Sequence, residues 1–259
     1  MIKPVLHYFN LADEVVSFST TRHGGVSKGK LATLNINPHR GDEPSAVAEN
    51  LQAVAAEIGI QTDKVIRLHQ IHETHCLTVT DAFFRLSVAE QYEMEEGKDA
   101  VVSDCRNVCI GVHTADCVPV LFYDPVHHAI GAAHAGWRGT VQRIAQHTLR
   151  KMTELYGTDP KELKAVVGPC ISQKNFEVGQ EVYDAFSAAG FPMERIARMY
   201  EKWHINLPLC NQLQLEELGV PIANILQSGI CTYDNASDFF SARILKEGFG
   251  TIYTGIALK

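Results

Sequence analysis

The chain has 259 residues, 46% of them hydrophobic and 20% charged, with a formal net charge of −7. That size and composition suit one large globular domain or two small ones. With no basic run longer than a scattered pair, the negative balance argues against a nucleic-acid or anionic-membrane surface, while leaving room for a local basic pocket.

The first thirty residues are broken by Pro4, Asn10, Asp13 and Glu14 and hold no continuous apolar core of a signal peptide. No later run reaches membrane-spanning length. Seven cysteines, an odd number and widely spread, do not look like a secreted disulfide framework. A soluble protein in a reducing, cytoplasmic setting is expected. "VVSFSTT" at 15–21 reads as a strand leading into a Gly24-Gly25 turn. In "EPSAVAENLQAVAAEIGI", Val47, Leu51, Val54 and Ile58 share a helical face, with Asp42 as cap and Gly59 as stop. "KVIRL" (64–68) and "CLTV" (76–79) read as strands flanking "HQIHETH", and the acidic segment 87–98 as solvated chain. "VCIGVHT", "PVLFYD" and "AIGAAHA" are three apolar runs separated by turn signals at Ala115-Asp116 and Asp124-Pro125. "TVQRIAQHTLRKMTELYG" predicts a helix with Val141, Ile144, Thr148, Met152 and Leu155 on one stripe, ended by Gly157. Helices near 178–189 and 207–218 alternate with strands at 164–168, 223–228 and 249–257. No repeat, linker or composition break divides the chain, so residues 1–259 are expected to form one mixed α/β domain.

Two places carry chemistry. His69, His72 and His75 fall within seven residues, but the spacing is not that of the zincin motif. That motif needs two residues between Glu73 and the following histidine, and only Thr74 intervenes. Taken alone, these are equally surface or hydrogen-bonded histidines after a strand. Cys117 is the second place. Cys76, Cys105, Cys109, Cys210 and Cys231 read as small buried hydrophobes. Cys117 instead follows Asp116 at a turn between two strands, where a side chain can be presented to a cleft. His134 ends the next strand just before Gly136, which permits close backbone approach. The two lie 17 residues apart, a separation that lets a hairpin bring both strand ends together. With one of the three histidines at 69, 72 or 75, they would make a Cys/His/His set with one coordination position open. That is a catalytic zinc arrangement rather than a structural one.

"TADCVPVLFYDP" and "AAHAGWRGT" stand among further blocks in order. These are "STTRHGGVS" (19–27), "LNINPHRGD" (34–42), "LHQIHE" (68–73), "KDAVVSD" (98–104), "GPCISQKNFEVGQEV" (168–182), "CTY" (231–233) and "FFSAR" (239–243). Over nearly its whole length the chain resembles the YfiH-type laccase-domain family of purine nucleoside phosphorylases. That family is also described as multicopper polyphenol oxidoreductases and peptidoglycan editing factors. The resemblance implies a zinc, with copper as the alternative ion, held by His72, Cys117 and His134; it is the resemblance that selects His72. It implies a single-domain four-layer α/β/β/α sandwich of two mixed sheets, related to a cysteine-hydrolase-like superfamily. It further implies phosphorolysis of adenosine, inosine and methylthioadenosine, with nucleoside and phosphate as partners and adenosine deamination besides.

For the deamination, Asp116 is the candidate acid near a metal-activated water, or else a turn residue bonded to its own backbone. For the phosphate, Arg22 and Arg138 are the first candidates and Arg243 the third, because guanidinium forks suit phosphate. Each could equally be solvent-facing or carboxylate-paired. Asn35 holds a ribose hydroxyl or orders its own turn, and Trp137 is expected to pack against the following helix. Three positions depart from the family pattern: Glu73 where glycine is frequent, Ile244 where a second arginine is common, and Ile256 in place of the last residue of a "TGR". They leave the metal set intact and bear on substrate contacts.

Three other chemistries fit parts of the pattern. Cys117 and His134 could be the nucleophile and base of a hydrolase acting on a muramyl-peptide or amide, but a thiolate bound to zinc is no longer a free nucleophile. Copper-dependent phenol oxidation shares the two-His, one-Cys set, although these motifs supply few histidine pairs. A zinc-stabilised binding protein is disfavoured by the open coordination position.

Overall fold

The computed structural model describes residues 3–259. In chain order the strands are β1 Leu6–Tyr8, β2 Val15–Thr20, β3 Cys76–Val79, β4 Ala100–Ser103, β5 Cys109–Thr114, β6 Val118–Asp124, β7 Ala129–Ala135, β8 Lys164–Val167, β9 Glu177–Val178, β10 Ala197–Met199, β11 Trp203–Ile205, β12 Ile225–Gln227 and β13 Ile252–Leu258. The helices are α1 Pro44–Ile58, α2 Val88–Glu95, α3 Trp137–Val141, α4 Ile144–Tyr156, α5 Gln180–Ala188, α6 Met193–Ile196, α7 Leu207–Glu217 and α8 Ala242–Leu245. No helix among the described residues is long and apolar enough to cross a membrane.

The larger sheet runs β12-β8-β6-β7-β4-β3, parallel at its two edges and antiparallel within. The smaller runs β1-β2-β13-β5. Its ladders are all antiparallel because the C-terminal strand inserts between β2 and β5 against the direction of both. Only the larger sheet is therefore mixed along its ladders; Val65 adds one parallel bridge at the β5 edge of the smaller. Strands β9, β10 and β11 form a separate small antiparallel sheet.

Alternation of side chains along each strand builds the layers. On β6, Val118, Val120 and Phe122 pack with Ile144, Leu149 and Met152 of α4 and Leu207, Cys210 and Leu213 of α7. The intervening Leu121 and Tyr123 face Ile110 and Val112 of β5 and Ile256 and Leu258 of β13. On the far side of the smaller sheet, Phe18, Cys109, Tyr253 and Ala257 pack on Leu51, Val54, Ala55 and Ile58 of α1. The order α1, smaller sheet, larger sheet, α4 with α7 is the expected four-layer α/β/β/α arrangement.

Several local expectations change. Segment 64–68 is not a strand: Val65, Ile66 and Leu68 are buried, but Val65 alone bridges a neighbour. Its short apolar run reported burial rather than pairing. Asp42 does not cap α1; its Oδ2 accepts from Ser27 Oγ at 2.7 Å and Asn35 Nδ2 at 2.9 Å, and the helix starts without a side-chain cap. Segment 87–98 contains helix α2, nucleated by a capping box of Ser87 and Glu90. The single helix expected over 140–157 is broken at Arg143, whose φ of 65° is left-handed. Leu155 is accordingly 41% exposed, and Ile144, Ala145, Thr148, Leu149 and Met152 form the buried stripe.

One short connection matters most. β5 belongs to the smaller sheet and β6 to the larger, and only Ala115-Asp116-Cys117 joins them. The chain thus crosses between sheets at Cys117.

Candidate metal centre

Cys117 immediately precedes β6, and His134 is the penultimate residue of β7. The antiparallel register sets Val118 opposite Ala135 and Pro119 opposite His134. The hairpin therefore brings thiol and imidazole to one end, as its spacing predicts. His72 approaches from the loop before β3, with its Nε2 4.0 Å from the Cys117 sulfur and its ring edge-on to that of His134 at 4.7 Å. One ligand atom from each of the three residues lies within 4.8 Å of the others. The neighbouring histidines stand apart from this set. His69 pairs with Glu96 at 2.6 Å and stacks on His39 at 4.1 Å; His75 is exposed, 3.6 Å from Glu73.

Asp99, to which sequence reasoning gave no role, organises the group. It is fully buried. Its Oδ1 accepts from His134 Nδ1 at 2.7 Å and the His72 N–H at 3.0 Å. Its Oδ2 accepts from the N–H groups of Ile71 at 3.1 Å and Glu73 at 2.9 Å. One carboxylate thus fixes the tautomer of one ligand, freeing its Nε2, and folds the loop that carries another. Burial opposes its charge, but these bonds and the neighbouring His134 hold its pKa below the usual value. The loop needs that anchor because His72 sits at a φ of 67°, a left-handed backbone that a residue with a Cβ adopts at a cost.

Electrostatics at the thiol favour a ligand. Burial raises the Cys117 pKa, yet the charge of His134 and hydrogen bonds from both histidines outweigh it and pull the pKa down. His134 moves the opposite way, with the Cys117 and Asp99 charges overcoming its own burial. The donor set of one thiolate and two imidazole nitrogens is one that zinc or copper takes. Tetrahedral bonding puts ligand atoms about 3.3–3.7 Å apart, so the three residues need only a small inward step to share an ion. Gly136 keeps the space clear: a Cβ there would lie 3.0 Å from His72 Cδ2 and 3.1 Å from the Cys117 sulfur. Gly136→Ala is expected to fold and to lose at least about 90% of its bound metal, measured by metal analysis of the purified variant.

The three residues open on a cavity of about 240 Å³ also lined by Asn37, His39, Arg40, His113, Phe249 and Thr251. Among the described residues no carboxylate lines it. Gln70 clamps His113 at both backbone groups, donating to its carbonyl at 2.8 Å and accepting from its N–H at 2.7 Å. Sequence reasoning missed this wall because its residues come from separate segments that meet only in the fold.

The other residues singled out in the sequence lie outside the cavity. Asp116, at a φ of 81°, is buried. It accepts from Thr232 Oγ1 at 2.6 Å, Ser241 Oγ at 3.0 Å and the Arg243 N–H at 2.7 Å. With both oxygens so held it ties the crossover to the 232–243 segment, and it is not among the residues that line the cavity. Arg22 donates from Nε to the Ala32 carbonyl and from Nη1 to the Ala236 carbonyl, each at 3.0 Å. Asn35 is buried and orders its own turn, donating to the Asn37 carbonyl at 3.3 Å and to Asp42. Arg138 is exposed over Trp137, at 4.3 Å, and Trp137 packs against the α4–α7 core. Arg243 is exposed beside Phe176. Of the departures from the family pattern, Ile256 is buried between the sheets, whereas Glu73 and Ile244 are exposed.

The four-layer sandwich thus carries a two-His, one-Cys cluster that could hold a metal ion and that opens onto a cavity of small-molecule size. The family model described as multi-copper polyphenol oxidoreductase laccase matches residues 16–259, and the chain belongs to that YfiH-type laccase-domain family. It is 40% identical to a purine nucleoside phosphorylase of Bacteroides thetaiotaomicron, over 99% of this chain and 97% of that protein. It is 35% identical to adenosine deaminase RL5 of an unknown prokaryotic organism, over 98% of each. The structure superposes on that of Bacillus licheniformis hypothetical protein YfiH with a TM-score of 0.91 at 30% identity, covering 99% of this chain and 97% of that one.

Proposed function

We propose that the chain is a zinc-dependent purine nucleoside phosphorylase of the cytoplasm. It cleaves adenosine, inosine and methylthioadenosine with phosphate to the free base and the sugar 1-phosphate, and deaminates adenosine as a second activity. The observation that carries this reading is a three-ligand cluster with an open side facing a cavity that holds cationic and neutral donors and no carboxylate. The full-length relatives named for these two activities support it.

When bound, the ion supplies Lewis-acid chemistry and an activated water. The chain's own residues prepare the site for it. Asp99 keeps the His134 proton on Nδ1, Cys117 is biased toward thiolate, and Gly136 leaves the space between ligands open. Gln70 fixes the wall opposite through His113.

Incubating the metal-loaded protein with adenosine, with and without phosphate, tests the reading. Adenine and ribose 1-phosphate formed only with phosphate are expected, alongside inosine from deamination. No nucleoside turnover by the loaded protein would contradict it.

A second reading has one observation of its own. Cys117, His134 and Asp99 stand in the order of a nucleophile, base and orienting carboxylate, as in thiol hydrolases. A chelator separates the two, since it inactivates the phosphorylase and leaves a thiol hydrolase working.

A further inference from the structure

The cavity contains two side chains with groups that nothing among the described residues satisfies. Arg40 is half-buried with its guanidinium 4.2 Å from the centre of the Phe249 ring. Its Nε donates to the Phe249 carbonyl at 3.0 Å. Among the described residues its two Nη groups make no hydrogen bond and no carboxylate pairs with it, so a two-pronged fork remains for an oxyanion.

His113 is the other. Only 4% of it is exposed, and its Nε2 has no partner among the described residues. The hydrogen-bond directions around it show which kind of atom that nitrogen needs. Asn37 Oδ1 accepts from the His39 N–H at 2.9 Å, which fixes the amide orientation. Its Nδ2 therefore donates to Thr251 Oγ1, at 3.2 Å. Besides Asn37, the one partner of the Thr251 hydroxyl among the described residues is His113 Nδ1, at 3.4 Å, which is where its proton finds an acceptor. A ring that accepts at Nδ1 carries its proton on Nε2. In that tautomer the unpartnered Nε2 is an N–H donor in a buried setting, where leaving it unsatisfied is costly. Both donors call for an acceptor, and the cavity wall has no acid to provide one.

We propose that Arg40 and His113 form the phosphate subsite, holding inorganic phosphate beside the Cys117 centre as the nucleophile of nucleoside cleavage. This rests on the phosphorolysis reading above. A phosphate oxygen forms the new bond to C1′ of the ribose while the bond from C1′ to the base nitrogen breaks. The electron pair of that bond leaves on the purine, which takes up the proton that the hydrogen phosphate gives up on forming the ester. Arg40 and His113 hold the oxygens that do not attack.

The test uses the metal-loaded full chain, with steady-state kinetics in both substrates and direct titration with inorganic phosphate. Arg40→Gln and His113→Leu are each expected to raise the KM for phosphate about tenfold or more, and to weaken phosphate binding in the titration by a similar factor, with the nucleoside KM changed less than about threefold. His113→Gln, which can return an N–H near the Nε2 position, should recover most of the loss. Arg40→Lys, which keeps the charge without the fork, should recover less. A phosphate KM unchanged in both Arg40→Gln and His113→Leu would overturn the assignment, as would a rise confined to the nucleoside KM. Tighter binding of a nucleoside 5′-monophosphate than of inorganic phosphate, lost in the same variants, would also overturn it in favour of a phosphate-ester site. Failure of the parent reading looks different: the native chain would not cleave nucleosides at all, while the titration would still report whether phosphate binds at Arg40 and His113.

Discussion

Cys117→Ser is expected to purify folded, to carry less than about a tenth of an equivalent of metal, and to lose nucleoside turnover by about a thousandfold or more. The hydroxyl is isosteric with the thiol but is protonated at neutral pH and bonds these ions poorly. The backbone on either side is fixed independently of the sulfur. Asp116 is tied to Thr232, Ser241 and Arg243, and Val118 begins the β6–β7 ladder. The thermal midpoint measured without metal should therefore stay close to that of the stripped native protein. Metal analysis is the deciding readout: a variant that keeps its metal and loses only activity would point to Cys117 as a nucleophile instead.

Asp99→Asn is expected to weaken metal binding by about 10–100-fold, the usual consequence of losing the partner that orients a ligating histidine. It should also lower folding stability by about 2–4 kcal/mol. The native carboxylate accepts four hydrogen bonds from groups on β7 and the 71–73 loop. An amide offers one accepting oxygen and turns an NH2 toward the remaining donors, in a place with no solvent to relieve them. Competition with a calibrated chelator gives the affinity, and urea denaturation of the stripped protein gives the stability. An unchanged metal affinity would show that His134 is held by packing alone.

Much of this centre was legible in the sequence, and the reasons are physical. Cys117 and His134 sit at strand ends in small-residue surroundings, and strand pairing alone brings them together across the β6–β7 hairpin. His72 was not separable from His69 and His75 by spacing; the family resemblance chose it. What distinguishes it in space is Asp99, which binds backbone N–H groups around it, and backbone N–H groups leave no mark on a sequence. The cavity wall was illegible for a similar reason. The 37–40 segment, His113 and Thr251 lie far apart along the chain, and the guanidinium forks that sequence logic favoured, Arg22 and Arg138, are directed to carbonyls and to solvent. The four layers were implied by the family resemblance; apolar periodicity marked individual strands and helices, but it carried past the left-handed residue at Arg143 and turned the buried loop at 64–68 into a strand.

The central claim is that nucleoside cleavage depends on an ion held by His72, Cys117 and His134. Stripping the protein with a chelator and titrating zinc back, while following phosphate-dependent release of free base, tests it most directly. Turnover should vanish in the stripped protein and rise linearly to a plateau at one equivalent of zinc per chain, and no addition should restore it in His72→Ala. Full turnover in the stripped protein would contradict the claim.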